Sequence, residues 1–373
     1  MATHRKHPDF HLQLLQKLIL STLVGILGYF LVRSNIVNLN IINSPYWTNL
    51  MYLLVAVGLY LNVVEIELKD ISYHWKTLVS ILLFGLPIKI FLPGIFLGLL
   101  YPNLWSIVFL CSTVIAQIDP IAASHNLKST RLNPRTKTIL RFWSSFDDPI
   151  TVLFAFYIFL PFTLDNSSFS VINYFINLSK EFIICGLIYY LYQIFKNRTK
   201  TFKDSIINFF DLFFASIITL LFGFSGSFLV PATTGLIIRP NIPSEISESI
   251  LSFIFYFSVL NTGIFISSLG IANLNWTVGI ILGGVMFLIA QPIVTFIFVN
   301  KVAKKERLRI MFCHENGMTA ILLTVAIELS NKDLSILSIT LPAIICISAL
   351  YLVVNSYLNY LFPFHSKSKS KMT

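Results

Sequence analysis

Charge is scarce in this chain. Asp, Glu, Lys and Arg make up 12% of its 373 residues, against about 25% in soluble domains. Acidic residues are the rarest, 17 against 27 Lys and Arg. Three catalytic signatures are also missing: no GxxxxGK[ST], no HExxH and no CxxC. The first absence removes a phosphate-cradling loop, the second a zinc peptidase helix, the third a thiol-redox or zinc-ribbon motif. Coupling to ATP hydrolysis is not expected, nor is a cofactor, and the chain does not read as an enzyme. Cysteine is nearly absent too. Cys111, Cys185, Cys313 and Cys346 all lie in apolar runs without metal-ligand spacing, so they read as small hydrophobes.

What the chain has instead is apolar length. It is 55% hydrophobic with a mean hydropathy of +0.77, and many runs reach the roughly 20 residues that cross a hydrocarbon layer. Spans are predicted at 13–32, 47–64, 74–98, 104–124, 138–161, 171–195, 206–223, 226–238, 247–269, 276–299, 308–328 and 335–361. The run 226–238 is short enough to be half a helix, and Pro87 and Pro93 interrupt 74–98. No small-residue cleavage site follows the first run, which reads as a retained helix after the segment 1–12. The expected fold class is an all-α polytopic membrane protein of about twelve transmembrane helices.

Basic residues test that count. Lys69 and Lys76, Lys128 to Lys137, Lys196 to Lys203, Arg239, and Lys301 to Arg309 all fall at alternate loops, with Arg5 and Lys6 at one terminus and Lys367 to Lys371 at the other. Only Arg33 and Lys332 fall in the opposite loops. The positive-inside rule then puts both termini in the cytoplasm. The basic excess is thus topological, and a nucleic-acid partner is not expected. The tail at 362–373, which ends HSKSKSKMT, is suited to touching anionic membrane lipids.

An ionisable group inside a span costs several kcal/mol and normally marks a pathway or a partner. Three places stand out. Asp119 precedes Pro120, which cannot donate to the helix ladder and disfavours helix at Asp119. The span is expected to open there, lined by Thr113, Gln117 and Asp119, and broken helices of this kind make cation sites. The bland alternative is a helix cap beside the basic loop. Asp147 and Asp148 lie together in the middle of 138–161, followed by Pro149. Two adjacent carboxylates in a poor dielectric cannot both stay ionised without a cation, so proton and metal ion would compete for one site. Pro149 is expected to weaken the helix and free Ser145 or its neighbours as oxygen donors, and Arg141 is a candidate gate or charge partner. The third place is His314-Glu315-Asn316-Gly317-Met318-Thr319, where polar groups around a glycine suggest a second broken helix; an entrance-side polar patch is the alternative. Counted along the spans, the two breaks run in opposite directions, as inverted repeats require. Repeats at 13–161 and 206–361 flank a linker helix at 171–195.

The runs STVIAQIDPIAASHNLK at 112–128, LRFWSSFDDPITVLF at 140–154 and GFSGSFLVPATTGLII at 223–238 resemble, in this order, segments of the monovalent cation/proton antiporter superfamily, within its bacterial-type sodium/proton exchangers. The resemblance implies the sodium/proton antiporter fold, with two crossed discontinuous helices in a core domain and a panel that forms a homodimer. It implies Asp148 as carrier of ion and proton, Asp147 as its neighbour, and Asp119 with nearby carbonyls completing the site. Glu315 and Asn316 are accessory. The implied activity is exchange of Na+ or Li+ for protons across a bacterial inner membrane, with K+ exchange or Na+-coupled solute symport as alternatives. Two departures stand out. Two-aspartate relatives place a lysine in the tenth span to pair with the first aspartate, and 276–299 holds none. Electroneutral relatives place an arginine beside the glycine where this chain has Glu315-Asn316-Gly317. On that reading Asp147 lacks a basic partner.

Overall fold

The computed structural model describes residues 10–38, 44–64, 76–118, 133–163, 171–199, 203–299, 302–330 and 335–361, and no strand occurs among them. In chain order the helices are α1 (Phe10–Arg33), α2 (Pro45–Val64), α3 (Lys76–Leu100), α4 (Trp105–Ile115), α5 (Pro134–Leu153), α6 (Val171–Arg198), α7 (Asp204–Phe224), α8 (Leu229–Ile237), α9 (Ser244–Leu269), α10 (Trp276–Phe298), α11 (Lys304–Met311), α12 (Met318–Ser330) and α13 (Leu337–Leu361). Among the described residues, six helices are long and apolar enough to cross a membrane alone: α2, α3, α7, α9, α10 and α13.

Polarity is arranged the opposite way from a soluble protein. Phe30, Ile183, Phe209, Leu221 and Val353 are exposed, whereas Lys89, Asp147, Asp148 and His314 have no accessible surface. A hydrocarbon solvent accounts for both facts, because only the interior offers ionic and polar groups a partner.

Pro93 is carried inside regular helix, and wider turns precede Pro87 and Pro292. A π turn at Ile81–Gly85 precedes Pro87 in α3, and another at Met286–Ala290 precedes Pro292 in α10. A proline ring collides with the carbonyl four residues back, and the extra residue in the turn relieves that collision. The short run near 226–238 is indeed a short helix, α8. Gly226, at φ +73°, makes the reversal from α7 to α8, a conformation open to glycine.

Among the described residues, helices end inside two of the expected spans. α4 stops at Ile115, its last turn tightened by the Ala116 amide bonding to the Thr113 carbonyl at 3.2 Å. Gln117 and Ile118 are not helical. α11 stops at Met311, and the chain stays non-helical through Cys313–Gly317 before α12 begins. Around these breaks α2 packs against α7, α8, α9 and α12, and α3 packs against α4 and α10. α1 lies directly on α9: a Cβ added to Gly263 would stand 1.9 Å from the Gly25 carbonyl oxygen. Glycine is required there because two backbones touch.

Candidate functional site

α5 carries the paired acids. Its N-terminus is capped by the Asn133 side chain, which accepts from the Arg135 amide at 3.3 Å, and Pro134 follows at the first helical position. Three turns on, Asp147 and Asp148 point apart, as adjacent helical residues must.

Asp147 is an ion-paired carboxylate. Lys89 Nζ of α3 lies 3.3 Å from its Oδ2, both side chains fully buried. Trp143 Nε1, one turn earlier on α5, donates to Oδ1 at 3.1 Å. The same indole lies 5.6 Å below the Lys89 ammonium, measured to a ring centroid, a cation–π contact that helps hold the charge in a dry place. The Ile118 amide, just past the end of α4, also faces Asp147. The expectation that Asp147 has no basic partner is therefore corrected. The lysine comes from the third span and not from the tenth. Arg141, the candidate gate or charge partner, is exposed.

Asp148 is met by dipoles. Asn62 Nδ2 of α2 donates to its Oδ2 at 2.7 Å, and Thr319 Oγ1 donates to the same oxygen at 2.8 Å. Thr319 is the second residue of α12, so the carboxylate also lies near the positive end of that helix dipole. Three elements converge on one oxygen: α5, α2 and α12.

The two breaks meet, and side-chain amides satisfy the carbonyls that they orphan. Asn316 Nδ2 donates to the Ile115 carbonyl at 2.9 Å, so the second break caps the C-terminus of α4. Gln291 Nε2 reaches the Ile310 carbonyl at 3.4 Å, and Asn355 Nδ2 donates to that of Phe312 at 2.8 Å. Among the described residues, the Gln117 amide and Asn316 Oδ1 are buried without a hydrogen bond, and the buried His314 ring faces the Ile115 backbone. Buried polar groups without partners are rare, and these belong to the stretches that form the crossing.

The other expected residues divide. Glu315 and Asn316 are buried at the second break, and Gln117 at the first. Asp119 lies outside the described residues. Thr113 turns its hydroxyl back to the Phe109 carbonyl, and Ser145 does the same to that of Arg141. The opening expected at Pro149 does not occur. α5 runs through it to Leu153, and Thr151 Oγ1 donates to the carbonyls of Asp147 and Asp148 at 2.8 and 3.0 Å. Those oxygens are engaged by their own helix. Asn62 was missed by sequence reasoning, its only signal being one amide in an apolar run. Lys89 was not singled out either, and no spacing in the sequence pairs it with Asp147.

A family model described as the transmembrane sodium/hydrogen exchanger matches residues 14–354. Among solved structures, that of the sodium proton antiporter MjNhaP1 from Methanocaldococcus jannaschii at pH 8 is similar to this chain, with a TM-score of 0.66 and 17% identity over 92% of this chain and 90% of that one. An electron-microscopy structure of the same antiporter gives a TM-score of 0.63 and 17% identity over 98% and 94% of the two chains. No curated protein sequence matches.

Proposed function

Since the chain belongs to the sodium/hydrogen exchanger family, we propose that it exchanges Na+ or Li+ for protons, with Asp148 holding either one in turn. The observation that carries this reading is a fully buried carboxylate whose Oδ2 accepts from two reorientable neutral donors, Asn62 and Thr319. A hydroxyl and a primary amide can each turn an oxygen toward an arriving cation, because both are donor and acceptor. Proton and cation then exclude each other at one carboxylate, and occupancy by either neutralises it. A neutral site crosses a low-dielectric barrier far more readily than a charged one. The empty anion stays put, so the two fluxes are coupled.

The Lys89–Asp147 pair supplies a second ionisable group beside the first. A cation that draws on both carboxylates displaces Lys89, and the ammonium gives up its proton in a dry site. Exchange then moves more than one proton per cation and carries current. The distribution of basic residues supports cytoplasmic termini, and the reading takes the chain as one of a bacterial inner membrane, working as a homodimer whose core moves against its panel.

The test is dissipation of a pH gradient in proteoliposomes on adding Na+, Li+ or K+. Na+ and Li+ are expected to collapse the gradient, and Asp148→Asn to abolish the effect. Full exchange by Asp148→Asn, or a response to K+ alone, contradicts this reading.

A further inference from the structure

Asn62 and Thr319, which donate to Asp148 Oδ2, each stand in a terminal turn of a helix. Thr319 is the second residue of α12, and Asn62 lies two residues before the end of α2 at Val64. The last four carbonyls of a helix, here those of Leu61 to Val64, have no amide of their own helix to accept from. Such ends fray unless something else holds them. Arg239 supplies the hold. Its Nη2 donates to the Val63 carbonyl at 3.2 Å and to the Val64 carbonyl at 2.9 Å, and a cation at this end also suits the helix dipole. Pro240 follows and disfavours helix at Arg239. α8 has ended at Ile237, and Ile238 is extended at φ −103° and ψ 107°, which lets the guanidinium reach the end of α2. Tyr60 Oη donates in turn to the Ile238 carbonyl at 3.3 Å. Between these two ties α8 touches α2: a Cβ added to Gly235 would stand 2.9 Å from the Tyr60 carbonyl oxygen.

We infer that Arg239 is a positioning residue for the ion site: by clamping the last turn of α2 it fixes the Asn62 amide against Asp148. The consequence for transport rests on the exchange reading above. Asn62 is bracketed by Tyr60 on one side and by Val63 and Val64 on the other, and all three are tied to one dipeptide, Ile238-Arg239. The Asn62 bond to Asp148 is 2.7 Å long, and a hydrogen bond weakens steeply once its donor drifts or tilts. A loosened turn also takes away the amide oxygen that would turn toward an arriving cation. The empty carboxylate keeps Thr319 as a donor, so the loss falls mainly on the bound cation. Apparent cation affinity drops, while the Lys89–Asp147 pair is left as it is.

Exchange assays on Arg239→Gln and Arg239→Lys test this. Arg239→Gln should raise the apparent KM for Na+ about tenfold with a maximal rate within about twofold of wild type, the pattern of lost binding. Arg239→Lys, whose ammonium still donates to carbonyls, should recover most of the loss. The effect should run through Asn62. On an Asn62→Ser background, Arg239→Gln should raise KM less than about twofold, since residues that act through one contact are not additive. A second arm needs no transport: in Arg239→Gln, backbone amide exchange over residues 57–64, read by mass spectrometry, should speed up about tenfold, and Arg239→Lys should slow it again. Tyr60→Phe releases the other tie alone and serves where Arg239→Gln does not fold; it should shift KM and amide exchange in the same directions by a smaller factor. An unchanged KM in an exchanging Arg239→Gln protein, a full-sized shift on the Asn62→Ser background, or unaltered amide exchange overturns the clamp. Absence of exchange by the wild type would instead overturn the function proposed above, and the amide-exchange arm would still decide whether Arg239 holds α2.

Discussion

A buried ion pair is a strong commitment for one residue. Removing one partner leaves a bare charge in a dry interior, which costs about 3–5 kcal/mol, whereas replacing both can be nearly neutral. Lys89→Gln should therefore lower thermal stability sharply, and adding Asp147→Asn should restore most of it. If Lys89 supplies the extra proton, the double variant should still exchange, but without current in a solid-supported-membrane recording. A stable, current-carrying Lys89→Gln would show that the pair is idle. The acids themselves were legible in the sequence, because a carboxylate stands out in apolar text. Their partners were not. Lys89 and Asp147 are 58 residues apart, and Asn62 and Asp148 86 apart. Pairing across helices depends on which faces meet, and no local periodicity records that.

At the scale of elements, the breaks are held open by amides from elsewhere. The first was expected at Asp119, because proline chemistry pointed there, yet α4 already ends at Ile115. The cause is tertiary: Asn316 takes up the Ile115 carbonyl, so the helix can stop before the proline needs it to. The second break was legible from His314 to Gly317, since that stretch collects polar residues around a glycine. Pro149 misled for the converse reason, as a proline flanked by satisfied carbonyls need not open a helix. Asn316→Ala should orphan the Ile115 carbonyl and cost about 1–3 kcal/mol, read as a lowered melting temperature in detergent. It should also reduce exchange, whereas Asn316→Asp, unable to donate while ionised, should not rescue stability. Wild-type stability in Asn316→Ala would mean that the crossing is held by other contacts.

For the whole molecule, composition alone separated an inside-out, helical, membrane-bound chain from every soluble alternative. Counting spans led to the expectation of two opposed breaks; the structure shows the two non-helical stretches meeting through Asn316 and the Ile115 carbonyl, with the buried acid pair close by. What only three dimensions supply is the seclusion of the site and the identity of the groups that meet each acid. The central claim is that a proton and an alkali cation compete for Asp148, and Na+ binding to the purified protein by calorimetry at a series of pH values tests it most directly. Affinity should fall about tenfold per pH unit for each proton displaced as the solution is acidified, with protons released to the buffer, and Asp148→Asn should bind no Na+. Na+ affinity that ignores pH, or that survives in Asp148→Asn, would contradict the claim.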